Sequence, residues 1–321
     1  MTTVDTFPRP LVPEPRTERG LGLERRRGRL GERLIVGLFA ACAFLSIATT
    51  IAIVASLIPP TLDFFDAVSP GKFFTGTRWA PLFTPASFGV LPIVAGTLVT
   101  TACALVVCLP FGLGAAIYLS EYARSRTRKV IKPVLEVLAG VPTVVYGYFA
   151  VKFVSPYVQD LWPFGPRPGV FNALSAGLVM GIMILPTVVS LSEDALAAVP
   201  LDLRQGAYAL GGTGYEVATK VTVPAALSGI VASFVLGVSR AIGETMIVLI
   251  AAGGTPNLSL NPGQAMQTMT SFIAQAATGD LPQGTIGYKT IFAVGSLLFA
   301  ITFALNYVSN RIVRRYREVY E

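Results

Sequence analysis

Histidine is absent from this sequence, and charged residues are scarce. The lack of histidine among the 321 residues excludes imidazole catalysis and histidine-ligated metal sites. Only 13% of the residues are charged, against about 25% in soluble proteins, which excludes an ordinary soluble domain. The sequence also contains no Gly-x4-Gly-Lys-Ser/Thr segment, so it has no loop of the kind that binds ATP phosphates.

Cysteine is rare as well. Cys42, Cys103 and Cys108 lie inside apolar segments, and their spacing matches no metal-binding motif. We therefore expect them to be small buried hydrophobic residues with no further role.

Apolar residues, by contrast, make up 53% of the chain, and its mean hydropathy is +0.63. Several apolar stretches approach or exceed the ~20 residues that a helix needs to cross a bilayer. The sequence therefore predicts an all-α polytopic membrane protein with six transmembrane helices. The predicted spans are residues 34–58, 91–119, 133–154, 170–191, 225–253 and 289–310.

The segments outside these spans complete the predicted organisation. Residues 1–33 are rich in proline, arginine and glutamate without periodicity, which predicts a disordered tail. We expect an extracytoplasmic loop at residues 59–90, a core domain at residues 91–312 and a short C-terminal tail at residues 313–321.

Basic residues predict the orientation in the membrane. They cluster in the N-terminal tail, in the loop near residue 125 and after the last span. Because short loops rich in lysine and arginine stay in the cytosol, both termini and residues 201–224 are predicted to be cytosolic. The predicted location is the bacterial plasma (inner) membrane, with multiple passes. The net charge of +7 follows from this distribution, so the expected contact is with membrane lipids and not with nucleic acid.

Two opposite charges stand in the middle of the fifth predicted span. Arg240 and Glu244 are one helical turn apart and would share a face of a continuous helix. A charge at that depth costs about 2.5–3.5 kcal/mol on insertion scales, and such residues usually mark a polar pathway. Two alternatives follow. Either the residues form a structural ion pair, or Arg240 binds a transported oxyanion while Glu244 holds or competes for its guanidinium.

The third predicted span contains a break and a further acidic residue. Gly140, Pro142 and Thr143 predict a kink that exposes backbone groups and a hydroxyl, which can line a pathway. Glu136, near the cytosolic end, is expected to extend towards the interface or to pair with Lys132 four residues earlier.

The cytosolic segment 201–224 has the pattern of two short helices with a break between them. Asp202 and Gln205 predict one capping box, and Thr213 and Glu216 predict a second. Glycines between the two boxes end the first helix. A segment built in this way is expected to be held by a partner outside the membrane.

A short amphipathic helix is predicted within the outer segment 261–278. Asn261 can cap this helix, and Pro262 suits its first position. We expect it to lie at the outer membrane interface or to dip into it, either as a docking or gating element or as a cover for the surface. Its apolar stripe would consist of Met266, Met269, Phe272 and Ile273.

The spacing within residues 201–224 resembles the EAA loop, Glu-Ala-Ala-x3-Gly-x9-Ile-x-Leu-Pro, of permease subunits of ABC importers. Gln205-Gly206-Ala207, Gly211, Val221 and Val223-Pro224 occupy the corresponding places, with departures at the first two residues. The resemblance implies that the loop docks on an ATPase, with a neutral hydrogen bond at Gln205 in place of an ionic contact. The implied docking residues are Asp202, Gln205, Gly206, Ala207, Leu210 and Gly211.

Three further segments extend the resemblance to phosphate permease subunits of the PstC type. Residues 132–147 are similar to the third-span signature of that family, and residues 185–187 to the segment before its loop. Residues 237–245 contain the family's Arg-x-x-Gly-Glu-Thr pattern. Over about residues 85–312, the resemblance implies the MetI-like fold of type I ABC importers. The implied substrate pathway contains Arg240, Glu244 and Thr143.

The resemblance also implies partners. A PstA-like permease subunit would complete the translocation path, and an extracytoplasmic phosphate-binding protein would deliver phosphate. Two cytosolic subunits would bind ATP and Mg, so this chain would itself hold no cofactor and would not be an enzyme. Closure of the ATPase dimer would move the docking loop, which leads into the span that carries Arg240 and Glu244.

Other functions fit some of these features. The chain could be the PstA-like partner, or a permease for another oxyanion such as molybdate or sulfate. A passive anion channel would need the arginine but no ATPase-docking loop. A membrane-embedded enzyme would need clustered acids, metal ligands or a nucleophile with a base, and the predicted spans offer only Arg240, Glu244 and Glu136.

Overall fold

The computed structural model describes residues 29–163, 165–279, 281–282 and 284–315. Most of the predicted N-terminal tail and the last six residues lie outside this part of the chain. Three π-helical segments interrupt the helices, at Tyr118–Tyr122, Ala150–Val154 and Val217–Thr222. Strands β1 (Trp79–Ala80) and β2 (Ser87–Phe88) pair antiparallel. The helices are α1 (Arg29–Ala67), α2 (Pro70–Thr75), α3 (Leu91–Ile117), α4 (Ser125–Ala139), α5 (Thr143–Phe149), α6 (Ser155–Asp160), α7 (Ala173–Ala197), α8 (Leu201–Ala209), α9 (Gly214–Glu216), α10 (Val223–Ala225), α11 (Leu227–Ile242), α12 (Met246–Ala251), α13 (Met269–Thr278) and α14 (Ile286–Arg315).

Helices α1, α3, α7 and α14 are long and apolar enough to cross a membrane. Two bent pairs of helices meet the same condition together. The pair Ser125–Ala139 and Thr143–Asp160 bends by 88°, and the pair Gly214–Ala225 and Leu227–Ile242 bends by 72°. The predicted all-α membrane class is confirmed, and the number of spans reaches six when each bent pair counts as one.

Helix α1 is longer than the first predicted span, because it continues past residue 58 through Pro59 and Pro60 to Ala67. The chain divides into two compact units, and the boundary in the sequence falls between Ile53 and Val54. In the described part of the first unit the apolar side chains are mostly exposed, as lipid contact requires. The expected burial of Cys42 is wrong, because this thiol lies on the exposed surface of α1.

The predicted extracytoplasmic loop 59–90 is ordered by aromatic packing. The last turns of α1, helix α2 and the β1–β2 ribbon gather around Phe64, which is fully buried. The rings of Phe64 and Phe73 meet edge to face at 5.6 Å, and those of Trp79 and Phe272 at 4.8 Å. Such pairs contribute about 0.5–1.5 kcal/mol beyond the apolar area they bury, so this segment packs as part of the core.

Helices α3 and α7 approach each other closely through small residues. A Cβ added at Gly177 would overlap the side chain of Cys103, and one added at Gly181 would overlap the carbonyl of Ala104. Because lipid supplies no hydrophobic drive between helices, close contact of small residues is what holds such pairs together. Cys108 is buried in the same core and Cys103 is half-buried, as expected for small apolar residues.

The contact between α7 and α11 combines small residues with a buried hydrogen bond. Gly229 of α11 faces Ala195, and the Oγ atoms of Ser192 and Ser233 lie 2.6 Å apart. Both serines are buried, and because Ser233 donates to the Ile230 carbonyl at 2.8 Å, it accepts the hydrogen of Ser192 where water is absent. Helix α7 is therefore the central element, packed on α3 on one side and on α11 on the other.

The predicted amphipathic helix within residues 261–278 is present but begins later than expected. Residues from Asn261 to Gln267 are not helical. The first residue of α13 is Met269, and Thr268 forms a capping box with Ser271. Thr97 of α3 accepts a hydrogen bond from the Met269 N–H at 3.0 Å. The short helix is confirmed, and the burial of Met269 and Phe272 shows that its apolar stripe packs in the core.

Gly177→Ala should destabilise the protein, because its methyl group has no room between α3 and α7. Overpacking of this kind typically costs about 1–3 kcal/mol, and we expect a clear fall in the thermal unfolding midpoint in detergent. Gly114→Ala in α3 is the matched control, because no heavy atom lies within 4 Å of its added Cβ. Equal midpoints for both variants would contradict this packing.

Candidate functional site

Arg240 lies near the end of α11 and carries a positive charge. Its side chain is exposed, and its Nη1 donates to Thr187 Oγ1 of α7 at 3.0 Å. The charge of Arg240 also interacts electrostatically with the Tyr146 hydroxyl of α5. Among the described residues, no acidic group lies within ion-pair distance of Arg240. The guanidinium is therefore held by a neutral hydroxyl and keeps its charge available.

Glu244 does not share a helical face with Arg240, so the predicted arrangement of this pair is wrong. Helix α11 ends at Ile242 and α12 begins at Met246. Glu244 Oε1 accepts hydrogen bonds from the N–H groups of Met246 at 3.0 Å and Ile247 at 3.3 Å. The helix breaks after Arg240, and the carboxylate turns back to cap the next helix, where first-turn N–H groups have no intrahelical partner.

Further hydrogen bonds, one of them from another helix, stabilise the break between α11 and α12. The Glu244 N–H bonds to the Ala241 carbonyl at 3.2 Å, and the Glu244 carbonyl accepts from Thr270 Oγ1 at 2.7 Å. Non-helical backbone inside a membrane is tolerated where protein groups satisfy it. Helix α13, which carries Thr270, thus stabilises the irregular segment next to Arg240.

The predicted kink in the third span is confirmed, since α4 and α5 meet at 88°. Thr143 is the first residue of α5, and its side chain is half-buried. The Tyr146 hydroxyl donates to the Leu138 carbonyl at 2.9 Å and so bridges the bend. The structure brings Tyr146 towards Arg240, whereas it gives no hydrogen bond between Thr143 and Arg240 within the described residues.

Segment 201–224 consists of α8, α9, a π-helical turn and α10. The first predicted capping box is wrong: α8 begins at Leu201 after Pro200, so Asp202 is already inside its first turn and makes no cap. The second box is confirmed, with Glu216 N donating to Thr213 Oγ1 and Glu216 Oε2 accepting from Thr213 N. The Lys220 hydrogen bond and the two from Thr213 lower the pKa of Glu216 to about 2. The carboxylate of this cap therefore stays ionised at neutral and mildly acidic pH.

The outer face of this segment is exposed and partly apolar. Leu210 is 92% exposed, and Gln205 is also exposed. Gly211 has φ +85°, a left-handed conformation that ends α8 and that side chains rarely adopt. The other predicted docking residues are exposed or half-buried at the same end of the molecule: Asp202, Gly206 and Ala207.

Arg204 ties α8 to two long helices, a role that its position in the sequence did not reveal. Its Nη1 lies 3.1 Å from Glu121 Oε1, in the π-helical turn after α3. Its Nη2 donates to the Leu196 carbonyl, near the end of α7, at 2.5 Å. The side chains are only 14% and 7% exposed, so this is a nearly buried ion pair.

A second buried cluster joins α4 to α7. Glu193 is completely buried and pairs with Arg128 and Lys132. The predicted pairing of Lys132 with Glu136 is wrong, because the lysine turns to Glu193 and, at 3.0 Å, to Asp194. These acids escaped the sequence analysis because α7 continues to Ala197, beyond the predicted end of the span at residue 191. The sequence did contain one signal for this cluster, since an acidic residue next to a long apolar run usually has a partner or a function.

Between α4 and α7 lies a cleft of about 100 Å³. Apolar side chains form most of its wall, and the polar residues among them are Lys132, Glu136, Thr187, Ser190 and Glu193. Thr187 thus faces this cleft and also contacts Arg240.

Arg204→Met should destabilise the protein strongly, because it leaves the Glu121 carboxylate nearly buried without its cation. The loss of one partner from a buried pair typically costs about 3–5 kcal/mol. Adding Glu121→Met should recover part of that loss, as measured by thermal unfolding of the single and double variants in detergent.

Lys220→Met is the matched control for this cycle. Its pair with Glu216 lies in the same loop but is 70% and 42% exposed, and exposed pairs contribute about 0–1 kcal/mol. An Arg204→Met variant as stable as Lys220→Met would contradict the burial of the Glu121 pair.

Comparison with known proteins places this architecture among transport permeases. A probable ABC transporter permease protein of Bacillus subtilis, YqgH, is 34% identical, over 90% of this chain and 92% of its own. The phosphate transport system permease protein PstC of Haemophilus influenzae is 30% identical, over 88% and 91%. PstC 1 of Mycobacterium tuberculosis is 32% identical, over 76% and 81%.

Solved structures share the fold at lower sequence identity. A bacterial alginate ABC transporter, in complex with an alginate-bound periplasmic protein, matches with TM-score 0.61 at 13% identity, over 92% of this chain and 100% of that one. The MetNI methionine ABC transporter, in an inward-facing conformation, matches with TM-score 0.51 at 17% identity, over 72% and 95%. The MetI-like permease fold is thereby confirmed.

Residues 108–318 match the family described as binding-protein-dependent transport system inner membrane component. The match covers more than half of the chain, and the relatives are named as permease proteins of transporters. This chain is an integral inner-membrane protein and belongs to that family of ABC importer permeases.

Proposed function

We propose that this chain is one of two permease subunits of an ATP-driven importer of inorganic phosphate. The observation that carries the proposal is the guanidinium of Arg240, which stands within a predicted span and has a hydroxyl but no described carboxylate as its partner. The PstC phosphate permeases among its relatives support phosphate as the substrate.

The chemistry of Arg240 suits an oxyanion. A guanidinium stays charged at any relevant pH and presents parallel N–H groups that match two oxygens of a tetrahedral anion. One edge, at Nη1, is held by Thr187, so the remaining N–H groups can bind the anion. Because an unpaired charge inside a membrane is costly, its retention here favours a role in transport over one in packing.

The role proposed for Glu244 differs from the one that the sequence indicated. Its carboxylate is engaged in capping α12, so it does not neutralise Arg240 in this conformation. We assign Glu244 to the pathway as the residue that shapes the break beside the arginine. Thr143 is assigned to the pathway wall at the start of α5, across the bend that Tyr146 bridges.

Segment 201–224 is proposed to dock on a cytosolic ATPase subunit. Its exposed apolar residues, such as Leu210, can enter a cleft on a partner, and the exposed amide of Gln205 can supply a neutral hydrogen bond. The docking residues are proposed to be Asp202, Gln205, Gly206, Ala207, Leu210 and Gly211.

The remaining partners complete the importer. A PstA-like permease would form the other half of the path, two ATPase subunits would bind ATP and Mg, and an extracytoplasmic phosphate-binding protein would deliver the anion. Both termini and segment 201–224 would then lie in the cytosol, in agreement with the clusters of basic residues.

Two alternatives keep the same site with a different function. Sulfate and molybdate are also tetrahedral oxyanions, and the charge of Arg240 accommodates them equally. A passive channel would use the arginine but would not need segment 201–224. The PstC relatives favour phosphate, and the exposed docking segment favours the ATP-driven importer.

Arg240→Gln should lower the uptake of labelled phosphate at least about tenfold, the loss expected when a hydrogen bond to a charged group is removed. Uptake is measured in cells that express the assembled complex, with its subunits quantified after purification. Arg240→Lys keeps the charge but loses the two parallel N–H groups of the guanidinium, so its uptake should lie between that of Arg240→Gln and that of the unaltered chain. Undiminished uptake by a fully assembled Arg240→Gln complex would refute the anion site.

Gly211→Val should abolish both co-purification of the ATPase and phosphate uptake. A β-branched residue strongly disfavours φ +85°, so the end of α8 and the turn after it would change shape. Gly211→Asn is the matched control, because asparagine tolerates the left-handed region best after glycine. If Gly211→Val retains both the ATPase and uptake, this loop is not the docking element.

A further inference from the structure

We infer that Thr187 is a second contact for the transported anion, acting beside Arg240. This inference rests on the proposed function and names a further residue of the same site. It starts from the hydrogen bond in which Arg240 Nη1 donates to Thr187 Oγ1 at 3.0 Å.

The hydroxyl of Thr187 has an uncommitted proton. A threonine hydroxyl accepts through its lone pairs and donates one hydrogen. The Arg240 bond uses only the accepting side, and no acceptor for the Thr187 hydrogen occurs among the described residues.

Several threonines of the long helices behave differently, although the buried Thr101 hydroxyl of α3 also has no hydrogen-bond partner among the described residues. Thr97 and Thr100 of α3 donate to the carbonyls four residues earlier, and so does Thr302 of α14. This is the usual way in which a helical threonine satisfies its hydrogen inside a membrane. Thr187 forgoes that bond to Met183, because its oxygen is turned to the guanidinium.

The hydroxyl of Thr187 lies at a cleft that its hydrogen can face. Its side chain is half-buried and faces the cleft of about 100 Å³ between α4 and α7. The other polar residues of the cleft are Lys132, Glu136, Ser190 and Glu193, and of these Lys132 and Glu193 are already paired with each other. A free O–H donor next to a free guanidinium edge is a pair of donors from two helices, and together they suit adjacent oxygens of one tetrahedral anion.

The pair also makes the site selective for correct geometry. Because Thr187 holds one edge of the guanidinium, the fork cannot turn freely, and the anion meets donors that are already oriented. Thr187 therefore acts both as a direct donor and as the residue that positions Arg240.

The test compares Thr187→Val with Thr187→Ser in the complete transporter reconstituted in liposomes, with labelled phosphate and the binding protein supplied. Valine keeps the shape and removes the hydroxyl, whereas serine keeps the hydroxyl. Thr187→Val should lower the maximal uptake rate by about tenfold, the loss expected for a hydrogen bond to a charged group, and Thr187→Ser should restore most of it. The phosphate moved per ATP hydrolysed should fall with the uptake.

Ser190→Ala is the matched control for the cleft. Ser190 lines the same cleft one turn further along α7, but no hydrogen bond joins it to Arg240 within the described residues. Its uptake should match that of the unaltered chain. A loss in Ser190→Ala as large as in Thr187→Val would overturn the inference, because cleft polarity and not the Arg240 contact would then be the cause.

A second measurement keeps the inference falsifiable if Thr187→Val fails to assemble. Thr187→Cys, made in a chain without the three native cysteines, should react with a negatively charged thiol reagent, and phosphate should slow that reaction. Absence of protection by phosphate would overturn the inference. Failure of the proposed function is distinguishable: it would show as full uptake by Arg240→Gln, whereas loss in that variant with full uptake by Thr187→Val would refute Thr187 alone.

Discussion

A transmembrane helix that is interrupted must find partners for the backbone groups that the interruption frees, since lipid offers none. The break between α11 and α12 meets this requirement with a carboxylate and a threonine. Glu244 caps the N–H groups of Met246 and Ile247, and Thr270 donates to the Glu244 carbonyl. Because Glu244 is engaged in this way, Arg240 is left without a carboxylate partner among the described residues. The availability of the central positive charge is thus a consequence of how the break is satisfied.

The elements around the break serve the same requirement. Helix α13 supplies Thr270, and α13 is itself fixed by Thr97 of α3, which accepts from the Met269 N–H. Helix α7 supplies Thr187 to Arg240 and packs closely on α3 through Gly177. The irregular segment is therefore supported by the two most closely packed helices of the core, which keeps the donors of the site in a fixed arrangement.

The sequence predicted the class and the approximate spans well, because long apolar runs have one physical interpretation. It predicted the kink at Gly140 and Pro142 for the same kind of reason, since glycine and proline act locally. It failed where tertiary contacts decide. The spacing of Arg240 and Glu244 assumes a continuous helix, and only the capping geometry shows that the helix ends between them. The ion pairs of Arg204 and Glu193 were not predicted, because their partners are distant in sequence. The start of α13 was predicted too early, because Asn261 and Pro262 are residues typical of a helix start.

In segment 201–224, two neighbouring residues differ in their surroundings. Arg204 bonds to Glu121 and to the Leu196 carbonyl, while the next residue, Gln205, is exposed. Attachment to the membrane helices and the proposed contact with a partner would thus be carried by different side chains. The exposed position can change its chemistry, as it has in carrying glutamine where the EAA pattern has glutamate, without loosening the loop from the protein. If the proposed docking is correct, the interface with the ATPase could change in sequence while each subunit keeps its own fold.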